Sequence, residues 1–285
     1  VLALSPDGTR LAAQENAGAI VVKELDRGPV VSLTRSAGPY GHPYRPSWVP
    51  GADSILFTQL NFDGGQPDLG TWLAAADGSG TARSIDLPQP HVILSPDGRW
   101  VVYRTTSFEG EDLYAVRRNL EEEPIPLVAT EATERQPALS RDGRFLAYAS
   151  DASGRMEVYV RPFPDAAGWR TQISSQGGSA PVWSHSGREL FFHTGSRELA
   201  TASLEESGGR LRVTDVQPLF SLEGFGTGDE TATHNDVTPA DRRFVMYRIL
   251  QGGREAMAGP RQMIIVDGLQ SLLESQDRAT ARPPS

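Results

Sequence analysis

The 285-residue sequence contains no cysteine, a single lysine (Lys23), and no uninterrupted apolar run of bilayer-spanning length. Without cysteine there are no disulfides and no thiolate metal sites. A helical membrane span needs roughly 20 apolar residues, so none is expected within the chain. Basic charge is almost entirely arginine, and acidic residues outnumber basic ones, 36 to 27, for a net charge of −9. A surface of that sign repels nucleic acid and anionic membranes, and neither is expected as a partner. Several catalytic signatures are also missing. There is no G-x-S-x-G elbow (Ser179 in GGSAP comes nearest and lacks the trailing glycine), no H-E-x-x-H, no phosphate-cradling glycine loop, and no H-R-D or D-F-G. Serine hydrolysis, zinc hydrolysis and phosphoryl transfer are therefore not expected of these residues, and no cofactor or metal is called for.

What is abundant is turn chemistry: 29 glycines and 21 prolines, scattered between short apolar runs. The runs recur with a period. LSPDGTRLAA at Leu4, WVPGADSILF at Trp48, LSPDGRWVVY at Leu94, LSRDGRFLAY at Leu139, WSHSGRELFF at Trp183 and VTPADRRFVMY at Val237 are versions of one pattern. With the second residue of each as anchor (Ser5, Val49, Ser95, Ser140, Ser184, Thr238), the spacings are 44, 46, 45, 44 and 54.

Each copy places an apolar run before the anchor, a Pro-Asp-Gly-like turn, and then a β-branched and aromatic run such as WVVYRT or FLAYAS. A third run (DLYAVRR, EVYVRPF) and a weaker fourth (PLVAT, VQPLF) follow. Four short antiparallel strands per repeat make a sheet that is marginal alone, because neither face has anything to pack on. Six such sheets set radially cover one another and leave only short edges. A solenoid would need polar capping repeats, which neither end supplies. The expectation is an all-β, six-bladed β-propeller over residues 1–270, with blades starting near 1, 45, 91, 136, 180 and 234. A short helix and a tail are expected to complete the chain, the helix over 268–276. The last blade shows no clear fourth run. Because the chain opens at Val1 inside an apolar run, it is expected to be a piece of something larger, with an upstream strand able to complete that blade.

The SPDG turn and the aromatic strand after it resemble the TolB-type, WD-like (PD40) propeller repeat across nearly the whole chain. The run GRMEVYVRPFPDAAGWRTQISSQGGSAPVWSHSGRELFF, with VQPLF, DVTPADRRFVMYR and QMIIVDGLQSLLE, is similar to the C-terminal propellers of bacterial membrane-anchored serine/threonine kinases. That resemblance implies a non-catalytic sensing or interaction module, extracytoplasmic and tied to the membrane through a tether outside this chain. Two other readings stay open: a free-standing periplasmic TolB-type scaffold for a protein partner, and the gating propeller of a serine peptidase. The sequence departs from the repeat at Ala240-Asp241, where Asp-Gly is usual, and at His185-Ser186, where Pro-Asp is usual.

The repeated aspartates Asp7, Asp97 and Asp142 read as turn formers in preference to a metal array. Asp151 lacks the later acidic ligands of a calcium loop and reads as a hairpin turn. Tyr44, Trp48, Trp100 and Trp183 read as packing between blades in preference to a stacking platform. The acidic run after Leu120 reads as a solvated turn. The position four before each anchor begins the innermost strand and carries Val1, Arg45, His91, Gln136, Ala180 and His234. Arg45, His91, Gln136 and His234 are the candidate ligand-binding residues of a channel mouth, suited to a small polar or anionic ligand with Arg45 as a forked donor. The bland alternative is that these side chains meet water and one another.

Overall fold

The structure is a computed structural model. It describes residues 2–15, 18–26, 28–34, 43–63, 66–87, 92–105, 110–166, 168–226, 235–241, 243–249 and 261–267, with strand backbone alone at 60–63, 66–68, 249 and 261–267. All regular structure in these residues is strand. Five four-stranded sheets and one three-stranded sheet follow in chain order, each an antiparallel meander in which sequence neighbours pair. The fold is thus an all-β propeller. The last sheet (Asn235–Val237, Arg243–Ile249, Arg261–Asp267) has three described strands, where the other blades have four and where the sequence shows no clear fourth run. The helix expected over 268–276 lies outside the described residues.

The second strand of each sheet is apolar at successive positions because both of its faces are covered. In Glu189–Thr194, Leu190 and Phe192 pack towards the fourth sheet with Phe145, Ala147 and Val158, while Phe191 points the other way onto Phe244 and Met246 of the sixth. The period-2 alternation of a strand sends neighbouring side chains to opposite faces. The pattern repeats around the molecule in six buried clusters, each shared by two adjacent sheets. Ala12 and Ile20 meet Ile55 and Phe57 between sheets one and two. Leu56 meets Val101 and Tyr103 between two and three. Val102 and Leu113 meet Tyr148 and Tyr159 between three and four. The last cluster returns to the start, with Leu2, Leu4 and Leu11 of sheet one against Val245 and Tyr247 of sheet six. The arrangement closes on itself, which a solenoid does not.

Polar contacts reinforce closure. The Leu4 N–H donates to Asp236 Oδ2 at 2.9 Å, joining the innermost strands of the first and last sheets. The indole N–H of Trp48 donates to the Ala3 carbonyl (3.0 Å), and that of Trp183 to the Ala138 carbonyl (3.1 Å). In each case a tryptophan just before an anchor is tied to the inner strand of the preceding sheet. Both indoles tie neighbouring sheets together, and both also border the hub.

Candidate functional site

The anchor turn sets the geometry of the hub. Ser5 N–H donates to the Arg10 carbonyl and Gly8 N–H to the Ser5 carbonyl, closing a tight loop that repeats at Ser95, Ser140 and Ser184. The buried Ser5 hydroxyl donates to Asp7 Oδ1 (2.5 Å) and accepts the Arg10 N–H (2.9 Å), while Asp7 Oδ1 also accepts the Thr9 N–H (3.0 Å). Asp97 and Asp142 do the same with Ser95 and Ser140. The Ser5 hydroxyl, then the Thr9 amide and hydroxyl, hold the Asp7 carboxyl down to about 2. The repeated aspartates are turn residues. The third residue after the anchor takes positive φ, 70° at Gly8 and 69° at both Gly98 and Gly187.

The sixth sheet places Asp241 at that glycine position, at φ 55°, a conformation aspartate tolerates better than most residues. Its carboxylate serves the neighbouring turn, accepting the N–H groups of His185 (2.6 Å) and Ser186 (3.1 Å). Those are the residues that stand where the fifth turn lacks its own aspartate. The two departures from the repeat therefore compensate each other. Asp241→Ala removes a charged acceptor from two amides and leaves a β-carbon at positive φ, so it should cost about 2–3 kcal/mol of unfolding free energy. Asp241→Asn, which keeps one acceptor and tolerates the backbone, should cost less than half as much. Equal losses in urea unfolding would show that the carboxylate does not hold the fifth turn.

At the hub the inner strands border a half-open cavity of about 500 Å³, within the range of small-ligand sites. It is lined from the third residue before the anchor to the second residue after it. Pro6, Pro50 and Pro96 follow their anchors on the first three sheets, and Arg141 and His185 take that position on the fourth and fifth. Two residues before the anchor stand Ala3, Ile93, Ala138 and Val182, and on the sixth sheet Asp236. The Arg141 guanidinium lies 3.8 Å from Asp236 Oδ1, an ion-pair contact longer than a hydrogen bond. Burial pushes the Asp236 carboxyl up, against the opposing pull of Arg141 and of the Leu4 and Val237 amides. Burial first, and then Arg141, push His185 down.

Behind Asp236, Asn235 is buried at 3% exposure and its Oδ1 meets His193 Nε2 at 2.8 Å. Burial brings His193 down to about 4, so the imidazole is neutral at pH 7 and donates its Nε2–H to Asn235. Because this folded-state value lies below the ordinary 6.5, the unfolded chain takes up the proton first. Stability is then full above pH 6.5 and falls towards pH 4, by up to about 3 kcal/mol at 1.36 kcal/mol per unit. His193→Gln should flatten that part of the stability–pH curve in denaturant titrations. A slope unchanged by the substitution would remove His193 as its source.

The four residues proposed from repeat register fare differently. His91 and His234 lie outside the described residues. Arg45 (φ 57°) and Gln136 (φ 53°), with Ala180 (φ 53°), occupy a bulge where pairing with the second strand slips, each just before a proline. Proline offers no ladder donor, so the pairing breaks there. Gln136 is buried and its Oε1 accepts the Ala180 N–H at 2.7 Å, linking the bulges of the fourth and fifth sheets. The Arg45 guanidinium sits over the Tyr44 ring at 5.8 Å. Neither residue lines the cavity. The lining polar residues Arg141, His185, Asn235 and Asp236 escaped the sequence reading. The available signal was the residue after the anchor, proline in four copies but Arg141 and His185 in two.

No protein-family model and no curated protein sequence matches the chain. Solved structures do. A putative TolB from Agrobacterium tumefaciens is 20% identical with a TM-score of 0.58, over 94% of this chain and 89% of that one. TolB from Acinetobacter baumannii is 14% identical with a TM-score of 0.62, over 92% of this chain and 62% of that one. The oligogalacturonate lyase of Vibrio parahaemolyticus is 13% identical with a TM-score of 0.59, over 94% and 77%. The likeness establishes the TolB-type propeller fold. That fold also occurs in a lyase, so it does not by itself decide function.

Proposed function

We propose that this chain is a non-catalytic recognition propeller, the extracytoplasmic C-terminal module of a bacterial membrane-anchored serine/threonine kinase. The observation that carries the recognition role is the hub: a half-open cavity of about 500 Å³ with convergent polar groups from three sheets beside an apolar arc. The kinase placement rests on the resemblance of the last three repeats, from GRMEVYVRPF to QMIIVDGLQSLLE. The candidates from repeat register, Arg45, His91, Gln136 and His234, are proposed separately as contacts for a small polar or anionic ligand. Titrating small organic anions into wild type and Arg45→Ala tests that proposal, and equal heats would remove it.

In the full-length protein, alkaline phosphatase fused after Ser285 should be active in intact cells, and the purified protein should phosphorylate itself. Fusion activity found only with a cytoplasmic reporter would overturn the extracytoplasmic placement. The TolB-type protein scaffold is the reading that survives if the reporter is active but no kinase precedes Val1.

A further inference from the structure

The hub cavity has two unlike sides. On the arc of sheets one to three the residues after the anchors are prolines, Pro6, Pro50 and Pro96, backed by Leu94 and Ile93. On the arc of sheets four to six stand Arg141, His185, Asn235 and Asp236. Two donors there are unused. Arg141, with its side chain 40% exposed, makes no hydrogen bond among the described residues; its one charged neighbour is Asp236 at 3.8 Å. Asn235 Nδ2 is buried without a hydrogen-bond partner among the described residues, as is His185 Nδ1, and because His193 occupies Asn235 Oδ1, the amide is fixed with its NH2 left over. A buried donor without an acceptor is costly and rare in a finished structure, and an open guanidinium fork matches a carboxylate with two parallel bonds. The acceptors of this arc are already engaged: Asp236 takes the Leu4 and Val237 amides, and Asp241 takes those of His185 and Ser186.

We infer that the hub binds an amphipathic monocarboxylate, its carboxylate on Arg141 with the Asn235 amide as a further donor, and its apolar body along the proline arc. This rests on the recognition reading and deepens it. The shared chemistry, a carboxylate at the end of an apolar body, is offered equally by a free aliphatic acid and by the C-terminus of an apolar peptide. Arg141 and Asn235 determine the head group; His193 is a positioning residue that holds the Asn235 amide in its donor orientation.

Titration calorimetry at pH 7 with octanoate, octanol and octylamine separates the head groups. Octanoate should bind at least tenfold more tightly than octanol, and octylamine weakest. Arg141→Gln should reduce octanoate affinity at least tenfold with an unchanged melting temperature, and Asp236→Asn, which frees Arg141 of its competitor, should increase it. Val216→Ala, on the outer strand of the fifth sheet and away from the cavity, should leave it unchanged. An acetylated apolar tripeptide with a free or an amidated C-terminus distinguishes the sources: preference for the free tripeptide over octanoate assigns a peptide end, and the reverse a small acid. Octanol equal to octanoate, undiminished binding in Arg141→Gln, preference for the amine, or no binding by any probe overturns the inference. The extracytoplasmic placement is judged separately by the reporter fusion, and the Arg45 candidate by its own titration.

Discussion

Gly8→Ala should destabilise the protein by about 3 kcal/mol, whereas Gly187→Ala, at the same turn position of the fifth sheet, should cost about 1–2 kcal/mol. The two glycines share a backbone conformation, φ 70° and 69°, so the penalty for a β-carbon in the left-handed region is common to both. Their surroundings differ. Among the described residues a β-carbon on Gly187 would meet nothing within 4 Å, while one on Gly8 would lie 2.2 Å from Cδ and 2.6 Å from Cγ of Pro239. The pyrrolidine ring cannot rotate out of the way, so one turn must move relative to the other. Pro239 belongs to the sixth sheet and Gly8 to the first, so the difference between the variants measures contact across the seam. Unfolding midpoints in urea report both. If the two substitutions cost the same, the first and last sheets do not meet at their turns.

The seam was partly visible in the sequence. Six like repeats with no capping unit require some form of mutual cover, and alternate residues of FLAYAS and ELFFHT had to face two different neighbours. Trp48 and Trp183, each just before an anchor, were legible as packing residues because indole bulk at a repeated position has a structural use. What the repeat could not convey was depth along the channel. Arg45 and Gln136 share a register position at a bulge before Pro46 and Pro137, where pairing slips, and Gln136 accepts the Ala180 amide with its oxygen. A proline directly after the candidate position was the available warning. Arg141 and His185 were hidden for the opposite reason. They stand in a turn motif whose other members are prolines, and only three-dimensional closure shows that this turn position rims a cavity. Asp236 likewise gains meaning only from Leu4, 232 residues away in sequence, whose amide it accepts.

The same closure predicts a large cost for a core deletion between the fifth and sixth sheets. Phe191→Ala should cost about 3–5 kcal/mol, the range for removing a fully buried aromatic ring. Phe191 has no exposure and meets Phe244 edge-on at 4.8 Å, within a cluster that includes Leu199, Leu219, Val237 and Met246. This cluster joins the fifth sheet to the sixth, three strands of which are described. Val216→Ala, on the outer strand of the fifth sheet and 45% exposed, should change stability by no more than about 0.5 kcal/mol. The double variant Phe191→Ala/Phe244→Ala should fall short of the sum of the single losses by about 0.5–1.5 kcal/mol, since an edge-to-face pair is removed only once. Additive losses, or a Phe191→Ala cost no greater than that of Val216→Ala, would mean that the sixth sheet is not packed on the fifth through these rings, and the closed ring that shapes the hub would lose its support.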